Sequence, residues 1–542
     1  MTVTDTAPAP EAGADPAAPA SAAPSPSVGG LAGVVGSGDH KVVGRLYVGF
    51  SLTFLLVALV SGLLVGAERV ATETTEVLGT DTFFQVFTLY RVTAVFLFLM
   101  PLLIGLALVV VPLQVGASTV AFPRAAASSF WGWLVGSGLI LGAYAGNGGP
   151  GGGEADLVDL FALGFALVIV SLLVACVCLV TTVTTLRAPG LSLKQVPLFS
   201  WSIFAAGTVW LLSLPALLAN LALFYVDHRH GGRLEFGTNV SLYPQISWAF
   251  TPPQLFVLLV PCLGIIGEII PTFARARPRS HGGAQAAIGL AAILSFGAAV
   301  QPFFNAEATD DAFYVLVGFA AVLPYLALLG LWALLLKPGK GKERPQVDSP
   351  LHFSILGLAM VFAAVLAGAV RVIDVLDLAG TSFDTAIFNY VIFGGAIVAF
   401  GGIACWAPKL WGGRIGEPAG RIAALLLFLG TIVLCLPDLW SGLIDQPEVL
   451  QPDTTVRDGV EALNGVSVAG LALITLGVLV FVLGLLRSVK KGRDHEAADP
   501  WEGHTLEWAT ASPPAFANFT EELPAIQSDR PLLDARTAGE ES

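Results

Sequence analysis

The sequence predicts an all-α, polytopic membrane protein built as a bundle of twelve helices. Two observations carry most of that prediction. Of 542 residues, 55% are hydrophobic and only 12% charged, with a mean hydropathy of +0.77, too apolar for an ordinary soluble chain. Apolar runs of about 20 residues, enough to cross a bilayer core, recur along it, near 43–66, 84–111, 130–147, 157–187, 200–226, 249–273, 285–304, 312–336, 351–373, 384–408, 420–444 and 466–487. The runs are unbroken rather than alternating, so they predict helices, which satisfy every backbone polar group internally, and not barrel strands.

Residues 1–38 are rich in Ala, Pro, Ser and Gly, cannot bury enough apolar area to offset ordering, and are expected to be disordered. They lack the basic and apolar regions of a signal peptide. The membrane domain then covers 39–488, and the chain turns polar again in a tail at 489–542. The net charge of −13 lies largely in tails and loops and offers no basic nucleic-acid surface. Membrane lipid is the partner the composition implies.

Lys and Arg cluster in alternate loops, at Lys41 and Arg45, Arg124, Arg187 and Lys194, Arg275 to Arg279, Lys337 to Arg344, Lys409 and Arg414, and Lys490 with Lys491. The intervening loops GNGGPGGGEAD, NAEATDDA and DQPEVLQPDTT are nearly free of positive charge. The positive-inside rule therefore predicts both termini in the cytoplasm of a bacterial plasma membrane. DHRHGGR, residues 227–233, departs from the pattern and is read as an outer surface loop. Within it Asp227, His228 and His230 could take a divalent ion, though a solvated, protonatable loop is the plainer reading. The five cysteines all fall in apolar runs, where they serve as small hydrophobic residues; the Cys176 and Cys178 pair has no nearby His or acid to make a metal site.

Three segments carry a resemblance: DHKVVGRLY before the first run, VPLQVGASTVAFPRAAASSFW after the second, and DPWEGHTLEWATASPPAFANF in the tail. They are similar to hallmarks of subunit I of the haem-copper oxidases, the cytochrome c oxidase type, with PLQxGAxxxAFPR the most specific. The likeness runs from about Asp39 to about Pro524. It implies twelve helices around a low-spin haem and a high-spin haem facing copper, and other oxidase subunits as partners.

That chemistry needs axial imidazoles for iron and further neutral nitrogen donors for copper, and the matching positions lack them. FTLYR places Tyr90 and Arg91 where the family has a haem-ligating histidine and a small residue. AIFNYVIFGG matches AHFHYVLFGG, so Ile387 and Asn389 replace the ligands of the high-spin and low-spin haem. WAFTPPQLF matches WFFGHPEVY, which makes Pro252 stand for a copper histidine, Gln254 for the proton-gating glutamate and Phe256 for the cross-linked tyrosine. VQPFFNAE puts Gln301 and Pro302 at the remaining copper histidines. The propionate-binding arginines align with Glu448 and Val449, and an accessory His-Asp pair with Ala379 and Gly380. On the proton paths, Thr119 stands for the entrance aspartate, Ala126 and Ala127 for asparagines, and Leu328 for the membrane lysine.

The resemblance and these departures together predict a scaffold without haem or copper, a pseudo-oxidase with a structural, assembly or regulatory role. One alternative is an active oxidase or haem protein with unconventional ligands such as Tyr90. The other is a transporter or ion pathway using intramembrane polar residues, Arg91, Gln254, Gln301, Asn305, Asn389 and Asp438. A last expectation concerns the low-spin haem pocket: Arg91 and Asp438 both sit roughly 10 Å deep by helix rise, and are expected to form an ion pair there, joined by Asn389.

Overall fold

The structure, a computed structural model, describes residues 31–70, 78–230, 237–297, 311–337, 344–449, 459–492 and 498–540. Ahead of the bundle, Leu31–Val35 forms a short helix in a unit of its own, within the segment expected to lack structure. From Gly38 onward the chain forms a single second unit. Among the described residues no strand forms.

Among the described residues, eleven helices are long and apolar enough to cross a membrane. In chain order they are α1 (His40–Val70), α2 (Thr82–Gln114), α3 (Pro123–Ala145), α4 (Ala155–Thr185), α5 (Leu198–His230), α6 (Gln254–Phe273), α8 (Val315–Leu336), α9 (Ser349–Arg371), α10 (Ser382–Trp411), α11 (Glu417–Leu443) and α12 (Val460–Lys491). The remaining expected span, 285–304, is represented by a shorter apolar helix, α7 (His281–Leu294), beyond which lies a stretch outside the described residues. Gln301, Pro302 and Asn305 fall in that stretch.

Consecutive helices pack side by side for most of the chain, and α12 returns against α1. Helices α2, α6 and α10 are buried along their whole most apolar stretch. A stripe of small residues lets helices approach: a Cβ at Gly44 of α1 would stand 2.6 Å from the Gly105 carbonyl of α2. The outer helices are apolar on both faces, as a lipid-exposed helix must be. On α12, Ile474, Val478 and Phe481 are buried while Leu476, Leu479 and Leu483 are exposed.

Helix α2 is not uniform. Residues Thr93–Leu99 form a π-helical stretch immediately before Pro101. Proline lacks an N–H and its ring crowds the carbonyl four residues back, so the ladder widens in the preceding turn. The extra residue rotates Tyr90 and Arg91 relative to the buried stretch from Met100 onward.

Candidate functional site

A cavity of about 40 Å³ lies where α1, α2, α10, α11 and α12 meet, lined by Tyr90, Arg91, Asn389, Asp438, Glu448 and Arg69 among others. Its residues are tied to one another. The Tyr90 hydroxyl donates to Asn389 Oδ1 at 2.6 Å, and the Tyr90 ring meets Phe388 edge-on at 5.6 Å. Ile387, one residue before Phe388, is fully buried.

The expected Arg91 to Asp438 pair is not formed; each residue takes another partner. Arg91 Nη2 donates to Glu448 Oε1, and its guanidinium lies 4.8 Å from the Phe87 ring and 4.7 Å from the Phe388 ring, so cation–π attraction holds it between two aromatic faces. Glu448 also accepts from the Thr385 hydroxyl at 2.9 Å. Its turn is pinned to the start of α10, since the Ser382 amide donates to the Gln446 carbonyl at 2.8 Å and the Glu448 amide to the Gly380 carbonyl at 2.9 Å. Asp438 instead pairs with Arg69 at 3.1 Å and accepts from Ser467 at 3.3 Å. Arg69 donates in addition to Ser382 at 3.1 Å, and Asn464 donates to its carbonyl at 2.7 Å. Asn389 bonds Tyr90 rather than joining either ion pair.

Depth alone misled the sequence reading. Rise per residue places two side chains at the same level but says nothing about the direction each faces. The apolar run that predicts the first span ends near residue 66 and leaves Arg69 outside it, although GAERV contains nothing to stop a helix and α1 runs to Val70. The resemblance marks Glu448 only as the residue that stands for a propionate-binding arginine; its positive contribution is to neutralise Arg91.

The donor set does not suit a haem. An iron would need an axial donor from each side, yet Tyr90 and Asn389 bond directly across the space between them, and Ile387 has no donor atom. Both arginines are engaged by carboxylates. Asp438 Oδ2 and Asn464 Oδ1 are buried acceptors without a hydrogen-bond partner among the described residues, which would face a propionate unfavourably. The cavity is also far below the roughly 300–1,000 Å³ of ligand pockets in general.

Around the position that the resemblance assigns to a copper histidine, the described residues bond and pack with one another. Gln254 donates to Ser213 at 3.0 Å and accepts from the Gly297 amide at 3.2 Å. Phe256 is buried and packs on α9 so tightly that a Cβ at Gly368 would stand 2.5 Å from its ring. Pro252 offers no donor. Ala126 and Leu328 are fully buried, Ala127 is half-buried, and Thr119 sits at the edge of a surface pocket. Gly380 adopts a positive φ of 75° and its amide donates to Asp384 Oδ2 at 2.9 Å; Asp384 in turn pairs with Arg371.

The basic residues of the DHRH segment have a structural explanation. Asp227 to His230 belong to the last turn of α5 rather than to a loop. There His228 meets Asp159 at 2.7 Å, and Arg229 pairs with Asp159 at 2.5 Å and Asp156 at 3.0 Å, both on the first turns of α4. Asp227 accepts from the Gly237 amide at 2.9 Å. No cluster of three or more His, Cys, Asp or Glu suited to a metal exists among the described residues, and the five cysteines are free and buried.

The three segments that carry the resemblance converge at the basic end of the bundle. Lys41 donates to Asn518 Oδ1 at 3.0 Å, and Asn518 donates to the Ala117 carbonyl at 2.8 Å. Gln114 donates to Glu507 at 3.1 Å and accepts from the Ser200 hydroxyl at 2.7 Å. The tail is therefore a packed element: Trp501 and Trp508 are buried, and Arg530 pairs with Glu268 of α6 at 2.8 Å. Burial pushes the Glu507 carboxyl above the ordinary range.

A helical bundle of this plan, with those three segments locking one end, defines the class of the haem-copper oxidase subunit I scaffold. The family model of cytochrome c and quinol oxidase polypeptide I matches residues 42–484, and the chain belongs to that family. It is 30% identical over 532 residues to cytochrome c oxidase subunit 1 of Corynebacterium efficiens, covering 92% of this chain and 88% of that protein. It is 29% identical over 523 residues to cytochrome c oxidase subunit 1 of Bacillus subtilis, covering 93% and 83%. A cryo-EM structure of a haem-copper terminal oxidase dimer shares the fold with a TM-score of 0.67 at 15% identity, covering 83% of this chain and 84% of that one.

Proposed function

We propose that this protein is a subunit I homologue that keeps the oxidase scaffold and has given up its redox site, serving a structural, assembly or regulatory role beside the respiratory chain. The observation that carries the reading is the 2.6 Å hydrogen bond from Tyr90 to Asn389, which joins the two positions that in the family face each other across one haem. The ion pairs of Arg91 with Glu448 and Arg69 with Asp438 support it, because they occupy the cationic groups a propionate would need. The reading extends to cofactors, with neither haem nor copper bound. Tyr90 is a poor candidate for an unconventional ligand, since its hydroxyl is already committed and ionising it would leave Asn389 without its donor.

As in its relatives' printed names, cytochrome c oxidase is the setting: the partners are other oxidase-like subunits and membrane lipid, and the basic end of the bundle, with both termini, faces the cytoplasm. The test is the visible spectrum of the purified protein together with metal analysis. A reduced-minus-oxidised spectrum without haem bands and less than a tenth of a copper per chain is expected, the ~0.1 threshold allowing for contamination. A stoichiometric haem band, or a copper that survives dialysis, overturns the reading.

A further inference from the structure

At the basic end, between the start of α11 and the end of α12, lies an open cleft of about 500 Å³, lined by Arg414, Arg487, Lys491, Glu417, Ala419 and Gly484 among others. Its volume falls within the roughly 300–1,000 Å³ range of ligand sites. Among the described residues that line it, three cations face one carboxylate, and that carboxylate is occupied: Glu417 accepts from the Ser349 amide at 2.7 Å and lies 3.4 Å from Arg421. Arg414 rests against the Trp501 ring at 5.5 Å, which fixes one cation at the rim. Arg487 and Lys491 are exposed, stand one helical turn apart, and form no ion pair among the described residues. The floor is made of small residues, since a Cβ at Gly484 would stand 3.1 Å from the Ala419 Cβ.

Deeper along the two helices the surface is apolar. Ile422 and Leu425 on α11, and Leu483 on α12 one turn before Arg487, are each about half exposed, between 51% and 53%. A basic pocket above two apolar helix flanks matches an amphiphile with an anionic head. A guanidinium can grip a phosphate through two parallel N–H bonds, and an ammonium adds a point charge beside it. Basic pockets between membrane helices on the cytoplasmic side bind phosphate headgroups for this reason.

We propose that this cleft is a binding site for an anionic phospholipid, its phosphodiester held by Arg487, Lys491 and Arg414 and its acyl chains lying along the α11 and α12 flanks. The apolar flanks select a lipid over free phosphate, which would use the charges and none of the apolar surface. The site is independent of the redox reading, because none of its residues touches the cavity between Tyr90 and Asn389.

The test is native mass spectrometry and thermal melting of the full chain, purified in detergent, stripped of lipid, and mixed with phosphatidylglycerol, phosphatidylcholine or inorganic phosphate. Phosphatidylglycerol is expected to stay bound and to raise the melting temperature, phosphatidylcholine and inorganic phosphate to do neither. R487Q/K491Q should weaken retention about ten- to thirtyfold, from roughly 1 kcal/mol per cation near an anionic surface. K490Q, which changes a neighbouring lysine outside the cleft lining, should leave retention within about twofold, well under the roughly fivefold that 1 kcal/mol represents. Equal retention of the two lipids, full retention by R487Q/K491Q, or an equal loss in K490Q overturns the site. A shift by inorganic phosphate matching that of phosphatidylglycerol overturns the lipid assignment.

Discussion

Tyr90 of α2 and Asn389 of α10 are joined by a hydrogen bond of 2.6 Å, in a region where both side chains are almost wholly buried. A buried acceptor that loses its donor keeps the desolvation cost of the amide. Tyr90→Phe is therefore expected to cost about 1–3 kcal/mol, read as a lower melting temperature in detergent. Tyr90→Phe combined with Asn389→Leu should lose less than the two single changes added together. Strict additivity would mean that the bond contributes nothing.

The ion pairs make a second prediction. Removing one partner of a buried pair costs about 3–5 kcal/mol, while replacing both with apolar groups can cost far less. Asp438→Ala should therefore destabilise more than Arg69→Met combined with Asp438→Leu. A double-mutant cycle on Arg69 and Asp438 should show coupling, and one on Arg91 and Asp438 should show much less. Strong coupling in the second cycle would restore the partnership that the structure does not form.

On the proposed reading, introducing histidines should not create a haem site. Tyr90→His with Asn389→His supplies two imidazoles but leaves Glu448 on Arg91 and a cavity of about 40 Å³. No stoichiometric haem band is expected from protein purified after expression with added haem. A clear low-spin spectrum would mean that ligand loss, not pocket filling, is the whole barrier.

His504 in the tail predicts a pH dependence. Burial first, then the charges of Arg530, Arg536 and Arg277, lowers its pKa to about 3. A released tail binds a proton here more readily than the docked one between pH of about 6.5 and about 3, so the docking stability present above pH 6.5 is lost as the pH falls. At pH 5 the loss is on the order of 2 kcal/mol. Glu507, whose pKa is raised, acts in the reverse sense, so the measurement compares His504→Gln with the parent. Amide exchange of residues 498–520 should accelerate from pH 7 to pH 5, after correction for intrinsic rates, and the acceleration should shrink in the variant. An unchanged acceleration would remove His504 as its cause.

Topology gives a fifth prediction. The native cysteines are all buried, so His230→Cys at the end of α5 should be the one site reached by an impermeant thiol reagent in intact cells. Labelling only after lysis would invert the orientation inferred from the basic loops.

Hydropathy and loop charge were enough to read the helical bundle, because a bilayer demands long apolar runs whatever their neighbours are. The absent imidazoles were equally legible, since Ile387 has no donor atom in any fold. What fills the pocket was decided only by the tertiary structure. Arg91 and Asp438 have matching depth along their helices, but a charge chooses its partner by direction as well as level. The π-helical turn before Pro101, the extra turn of α1 that carries Arg69, and the turn that brings Glu448 over α10 set those directions. The first two are local, but the partners they meet are set by contacts between segments hundreds of residues apart, such as Arg91 with Glu448, and a periodicity read along one segment at a time contains no record of those contacts.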